Sequence, residues 1–196
     1  MSAAASVTLI ETPLFGADDQ RQTAKGYGTD PNLIKTYQPG DLWPLTFTAD
    51  QRTTVTVLCD TIIPADSVSP AASEVGVPDF IDEWISAPYP GHDKDRRTVL
   101  EGLAWLNEEA ERRHGNRFSN LSDPQRAALC EDICLVATAK PQFRSAALFF
   151  KRFRDLTAGG FYTTPVGMKD IGYVGNLPMA TFDGPPPEVL KRLGLS

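Results

Sequence analysis

Residues 143–156 read FRSAALFFKRFRDL, and this stretch decides the class of fold. Its apolar residues recur at the three- and four-residue spacing of an α-helix and cover more than half of the helix circumference. They are Phe143, Ala146, Ala147, Phe149, Phe150, Phe153 and Leu156. A helix with so much apolar surface has to be covered on several sides. The pair Gly159-Gly160 that follows predicts a C-cap at this point.

Upstream of this helix, the same periodicity predicts four more. The first begins at Thr48-Ala49-Asp50-Gln51, which matches a capping box, and ends at Pro64. A short second helix contains Trp84, and a longer third one covers about residues 93–114. A second capping box, Ser122-Asp123-Pro124-Gln125, begins the fourth. No segment alternates long enough to predict a strand, so we expect an all-α core of about five helices.

Glycine and proline are concentrated outside this core. The chain has 15 glycines and 16 prolines, which interrupt residues 1–47 and the residues after the fifth helix. Both flanks also contain aromatic residues, more of them than disordered segments normally carry. We therefore predict three parts: an extended N-terminal arm over residues 1–47, a helical core over 48–158 and a C-terminal arm over 159–196 that docks on a partner.

Composition excludes several classes of function. A net charge of −6 argues against binding to nucleic acid or to an anionic membrane, because both require a clustered positive field. No apolar run reaches the roughly 18 residues of a membrane span. Three cysteines are too few for a disulfide framework, and the buried thiol is the expected role of each.

Catalytic motifs do not match either. Gly26-x-Gly28 and Gly172-x-x-Gly175 fit neither the dinucleotide fingerprint nor the phosphate loop, and no Gly-x-Ser-x-Gly elbow occurs. His92 is predicted in a solvated loop, and His114 at the end of a helix, where its charge complements the helix dipole. We therefore predict no catalytic, cofactor or metal residue in this chain. An independent hydrolase or metal enzyme stays a weaker alternative.

The segment from Gly159 to Pro187 is the most informative for function. It reads GGFYTTP over residues 159–165 and GMKDIGYVGN over 167–176, without helical or strand periodicity. Glycine permits close backbone approach, and tyrosine or phenylalanine offers a large contact area. We therefore predict a partner-binding surface formed by Phe161, Tyr162, Thr163, Thr164, Pro165, Gly167, Met168, Asp170, Ile171, Gly172, Tyr173, Gly175 and Asn176, with Trp43 from the N-terminal arm.

These two motifs are accompanied by LCDTIIPAD at 58–66, GVPDFID at 76–82 and GPPPE at 184–188. Together they resemble the gluconate 2-dehydrogenase subunit 3 family over roughly residues 45 to 195. The resemblance implies a small accessory subunit beside a large FAD-dependent oxidoreductase of the glucose-methanol-choline type. FAD would then belong to the partner, and this subunit would assist its folding, flavin loading or export. The resemblance further implies an electron acceptor, such as a cytochrome c, reached through the complex.

Two roles remain open for the subunit. It acts as a scaffold, or it contributes Tyr162, Tyr173 or Asn176 to the substrate or electron-acceptor site. In either role we expect the flavoprotein to cover the apolar fifth helix, and an acidic patch on it to meet the basic residues of that helix, Arg144, Lys151, Arg152 and Arg154. Many members of the family begin with a twin-arginine export signal, whereas this chain begins Met-Ser-Ala-Ala-Ala, so both the periplasm and the cytoplasm remain possible.

Overall fold

The computed structural model describes residues 37–173, 175 and 184–195. In these residues all regular secondary structure is helical, which confirms the predicted all-α class. The α-helices are α1 (Ala49–Ile62), α2 (Val77–Ser86), α3 (Pro90–His114), α4 (Asp123–Glu131), α5 (Arg144–Tyr162), α6 (Pro165–Asp170) and α7 (Pro187–Arg192). Short 3₁₀ turns at Ala72–Val75, Phe118–Asn120 and Pro141–Phe143 connect them.

Helix α5 lies at the centre of the core and packs against α1, α2 and α3. Asp95 of α3 binds Arg152, and Gly102 lies against Phe149, so α3 and α5 run in opposite directions. The apolar side chains of α5 are buried, Phe153 completely. The chain itself therefore covers the apolar face of α5, and the expectation that a flavoprotein covers that face is wrong.

The capping box predicted at the start of α1 forms in full, and the one predicted at the start of α4 forms in part. The Thr48 hydroxyl accepts from the Gln51 amide at 3.3 Å, while the Gln51 side chain accepts from the Thr48 amide at 2.9 Å. At the start of α4, the Gln125 side chain accepts from the Ser122 amide at 3.0 Å. These contacts satisfy amides that the first turn of a helix leaves without a partner. Local sequence thus fixes where α1 and α4 begin.

The predicted C-cap at Gly159-Gly160 is wrong, because α5 continues through both glycines to Tyr162. Neither glycine has a positive φ. A Cβ atom on Gly160 would lie 2.7 Å from Cδ1 of Phe80 in α2, closer than packed carbon atoms approach. Gly160 therefore serves the close packing of two helices. The helical part of the chain extends past residue 158, through α6.

Residues 38–47 of the predicted N-terminal arm lie on α2 of the same chain. The buried carboxylate of Asp82 accepts from the amides of Thr46 at 2.9 Å and Phe47 at 3.1 Å. The hydroxyls of Thr46 and Ser86 are hydrogen-bonded at 2.8 Å, and the Gly40 amide donates to Glu83. This segment is therefore part of the fold, whereas residues 1–36 lie outside the described residues. None of the described helices is long and apolar enough to cross a membrane.

Candidate partner interface

The predicted motif Thr163-Thr164-Pro165 forms the two-residue corner between α5 and α6 and the first residue of α6. The Thr163 hydroxyl donates to the Gly159 carbonyl at 2.8 Å, which satisfies an oxygen at the end of α5. The Thr164 hydroxyl donates to the Phe161 carbonyl at 2.7 Å and accepts from the Gly167 amide at 3.0 Å, so it links the two helices. Pro165 is the first residue of α6, where a missing amide costs nothing. The corner is consequently held in one geometry.

Two of the predicted partner-binding residues, Phe161 and Gly167, belong to the interior of this chain. The Phe161 side chain is fully buried. A Cβ atom on Gly167 would lie 2.2 Å from the Phe161 carbonyl oxygen, so only glycine lets α6 approach the end of α5. The structure therefore places both residues in the packing of the corner and not on a docking surface.

The end of α6 explains the motif Asp170-Ile171-Gly172-Tyr173. Gly172 has a φ of +65°, its amide donates to the Lys169 carbonyl at 3.0 Å, and the Tyr173 amide donates to the Met168 carbonyl at 2.8 Å. This is the arrangement of a Schellman cap, which requires a left-handed residue and hence favours glycine. The cap leaves the side chains of Ile171 and Tyr173 at 58% and 57% exposure.

The corner and the residues that flank it carry four exposed large apolar side chains: Tyr162, Val166, Ile171 and Tyr173. We refer to these four residues as the corner surface. Exposed apolar residues scattered singly are ordinary, whereas a group held together on a rigid support is typical of a protein-binding site. Among the other predicted residues, the exposed ones are Thr163, Pro165, Asp170 and Gly172, and the half-buried ones are Thr164, Met168 and Gly175. Asn176 lies outside the described residues.

Trp43 is not part of the corner surface. Its indole Nε1 donates to the Glu83 carbonyl at 3.2 Å, and its ring meets the edge of Tyr89 with 6.0 Å between centroids. These contacts lie at the C-terminal end of α2, whereas the corner adjoins the other end of α2, where Phe80 packs on Gly160. The structure therefore separates Trp43 from the rest of the predicted set.

Two carboxylates of the upstream motif at residues 58–66 hold the loop that follows α1. Asp60 accepts from both the amide and the hydroxyl of Ser73 at 2.8 Å, which ties the loop after α1 back to that helix. Asp66 accepts from the Val68 and Ser69 amides, and the hydrogen bond from Ser69, followed by the one from Val68, lowers the pKa of Asp66. Each of these carboxylates thus has a structural partner.

A cluster that the sequence did not suggest joins α2, α3 and α5. Asp95 accepts from Arg152 Nε and from the indole of Trp84, both at 2.8 Å, and the bond from Arg152 is the main cause of the lowered pKa of Asp95. His92 stacks on Trp84 with 4.4 Å between centroids, and its Nδ1 bonds the Trp84 carbonyl. The prediction of a solvated loop histidine is therefore wrong. The i, i+3 spacing of His92 and Asp95 on one helix was the available signal.

Two of the three thiols are buried, as expected. Burial raises the pKa of Cys59 and of Cys130 to about 12, so both are protonated and poor nucleophiles at neutral pH. Cys134 is half-buried. Within the described part of the chain, no group of three or more histidine, cysteine or acidic residues is placed to hold a metal ion.

A cleft of about 390 Å³ lies between the end of α1 and the start of α4. Its charged lining residues are Asp60, Asp123 and Arg126. Asp60 is bonded to Ser73, while Arg126 pairs with Asp123 and donates to the Leu121 carbonyl at 2.5 Å. All three therefore have partners within the chain.

The family model described as gluconate 2-dehydrogenase subunit 3 matches residues 49–184. The match extends from the first residue of α1 through α6 and includes the corner surface. No curated protein and no solved structure gives a significant match.

Proposed function

The chain belongs to the gluconate 2-dehydrogenase subunit 3 family, and from this membership we propose that it is a non-catalytic small subunit of an FAD-dependent sugar or sugar-derivative dehydrogenase. In this proposal, the catalytic flavoprotein is a separate chain of the glucose-methanol-choline type. The small subunit binds it and supports its folding, stability, flavin loading or export.

The corner surface is the observation that carries the proposal. Tyr162, Val166, Ile171 and Tyr173 are exposed although the corner that holds them is fixed by side-chain and backbone hydrogen bonds. Large apolar residues on a rigid support lose little conformational freedom on binding and are typical of the energetic centre of an interface. A second protein would remove their apolar area from water, which stabilises the complex by roughly 25 cal/mol per Å² of buried apolar surface.

A scaffold role is also consistent with how the titratable groups are used. Asp60, Asp95 and Glu109 are all held by partners inside the chain. A general acid or base needs access to substrate and a pKa near the working pH, whereas hydrogen bonds lower the pKa of Asp95. These observations support, as a proposal, that catalysis takes place in the flavoprotein.

Co-expression with the flavoprotein tests the proposal through a matched pair of variants. Ile171→Asp places a charge on the corner surface, and Leu135→Asp places the same charge at a similarly exposed position, 58% against 55%. We expect Ile171→Asp to abolish co-purification and to lower the FAD content and yield of the flavoprotein, while Leu135→Asp behaves as wild type. A flavoprotein that is soluble, flavinated and fully active without this chain would overturn the proposal.

The exposed phenols of Tyr162 and Tyr173 favour a second candidate role, in which the corner forms part of the substrate or electron-acceptor site. Tyr173→Phe separates the two roles because it keeps the ring and removes only the hydroxyl. If the variant complex assembles and is fully flavinated but has a changed KM or acceptor preference, the site role is correct. Unchanged kinetics would rule out the site role and leave only the scaffold role.

A further inference from the structure

The outer face of α5 is a second unusual surface. Six exposed residues follow one another along it at spacings of three and four: Arg144, Leu148, Lys151, Asp155, Gly159 and Tyr162. We refer to these six residues as the outer face. It is about 27 Å long at 1.5 Å per residue, and it ends at Tyr162, which also belongs to the corner surface. The two surfaces are therefore continuous.

Gly159 is the residue of the outer face that this chain does not explain. Gly102, Gly160 and Gly167 each lack room for a Cβ atom, whereas a Cβ atom on Gly159 would have no neighbour within 4 Å. Gly159 is also helical and has no positive φ. Glycine in the interior of a helix costs about 0.5–1 kcal/mol relative to alanine, so the free chain bears that cost without a packing gain. Close approach of another backbone is a physical use that a glycine has at such a position.

Charge and exposed apolar area indicate what approaches. Leu148, the second residue of the outer face, is 54% exposed. Arg152 and Lys151 pair with Asp95 and Asp155, but among the described residues no carboxylate lies within ion-pair distance of Arg144 or Arg154. In a chain of net charge −6, these guanidinium groups and the exposed side chain of Leu148 favour a partner that presents both carboxylates and apolar side chains.

We propose that a segment of the flavoprotein lies along the outer face and that its backbone crosses α5 at Gly159. Its apolar side chains contact Leu148 and Tyr162, and its carboxylates lie beside Arg144 and Arg154. This inference rests on the proposed function, since it names the place on this subunit where that same partner binds. It extends the interface from the corner surface along the full length of α5.

Gly159→Leu tests the crossing, because it fills the space over α5 without disturbing the fold. The open surroundings accept the side chain, and leucine is a better helix former than glycine, so the melting temperature of the isolated full chain should stay or rise. Binding to the purified flavoprotein, measured by biolayer interferometry, should weaken at least 100-fold. Ala128→Leu adds similar bulk at an exposed position of α4, which packs against α1, and should bind as wild type.

Charge reversal provides an independent measurement. Arg144→Glu combined with Arg154→Glu should weaken binding at least tenfold at low salt, and the difference should shrink at high salt because surface charges are screened. Wild-type affinity in Gly159→Leu would overturn the inference but leave the proposed function standing. Absence of binding by the wild-type chain would overturn both. Loss of a wild-type dimer in Gly159→Leu, seen by light scattering, would overturn it by assigning the face to a second copy.

Discussion

The two faces of α5 differ in what completes them. On the inner face, Phe153 is fully buried and Gly160 is in close contact with Phe80, so neighbouring helices of the same chain fill the space. On the outer face, Leu148 is exposed and Gly159 has empty space above it. One helix thus has one face that is completed by its own chain and another that, by our proposal, contacts a second protein.

Buried and exposed polar groups differ in the same way. In the described residues, every buried side-chain nitrogen or oxygen atom has a hydrogen-bond partner. Glu109, for example, is buried and accepts from Arg112 and Arg113, while Arg113 also binds Asp132. On the outer face the pairs are exposed, and Arg144 has no carboxylate partner in the described part of the chain. Satisfied polar groups stabilise the fold, whereas unused charges on the surface are available for recognition.

The largest expected effect is on the inner face. Phe153→Ala removes a buried aromatic ring from the centre of the core and should lower the free energy of unfolding by about 3–5 kcal/mol. Urea unfolding of the isolated full chain, followed by circular dichroism, measures it. Leu148→Ala on the outer face is the control and should change that free energy by less than about 0.5 kcal/mol. Equal losses in the two variants would contradict the division between the faces.

Local sequence predicted the helices because the signals that define them are local. Residues spaced three or four apart share a face, and Thr48 and Gln51 satisfy each other's amides whatever surrounds them. The end of α5 could not be predicted in this way. Gly160 lies inside the helix, where its lack of a side chain leaves room for Phe80, 80 positions earlier in the chain. Only tertiary packing supplies that information.

The candidate interface was predicted in part. Aromatic and glycine residues after 159 indicated a contact surface, and Tyr162, Ile171 and Tyr173 are indeed exposed. Composition alone did not distinguish them from Phe161, which is buried in the corner. Arg144 and Lys151 of the outer face were expected to meet an acidic patch on the partner, but the space over Gly159 becomes visible only when the neighbouring helices are placed.

The next effect concerns a buried charge and depends on pH. Hydrogen bonds from Arg112, then Arg113, together with the charges of both, lower the pKa of Glu109 from 4.5 to about 2, against the opposing effect of burial. A depressed carboxylate pKa contributes stability above pH 4.5 that is lost as the pH falls towards 2. Glu109→Gln should therefore lower the free energy of unfolding at pH 7 by about 1.5–3 kcal/mol and flatten its decline over that range of pH.

A matched substitution on the outer face gives the control for this prediction. Asp155 pairs with Lys151 at 3.4 Å, and both side chains are exposed. Exposed pairs of this kind contribute about 0.3–0.5 kcal/mol, so Asp155→Asn should leave the acid limb of the stability curve as in wild type. If Asp155→Asn flattens that limb as much as Glu109→Gln does, the hydrogen bonds of Glu109 are not the source of the pH dependence.

The smallest effect compares the two neighbouring glycines directly. Gly160→Ala forces a Cβ atom against Phe80, which is half-buried and able to shift in part, so the loss should be about 1–2 kcal/mol. Gly159→Ala meets no neighbour and gains helix propensity, so it should raise the free energy of unfolding by about 0.5–1 kcal/mol. Urea unfolding of the isolated full chain decides the sign of each. A loss in both variants would mean that Gly159, too, is required by the packing of this chain, and the outer face would then carry no sign of a partner. Opposite signs would mean that Gly159 lowers the stability of its own helix and has no packing role within this chain, as we expect of a position where another protein makes close contact.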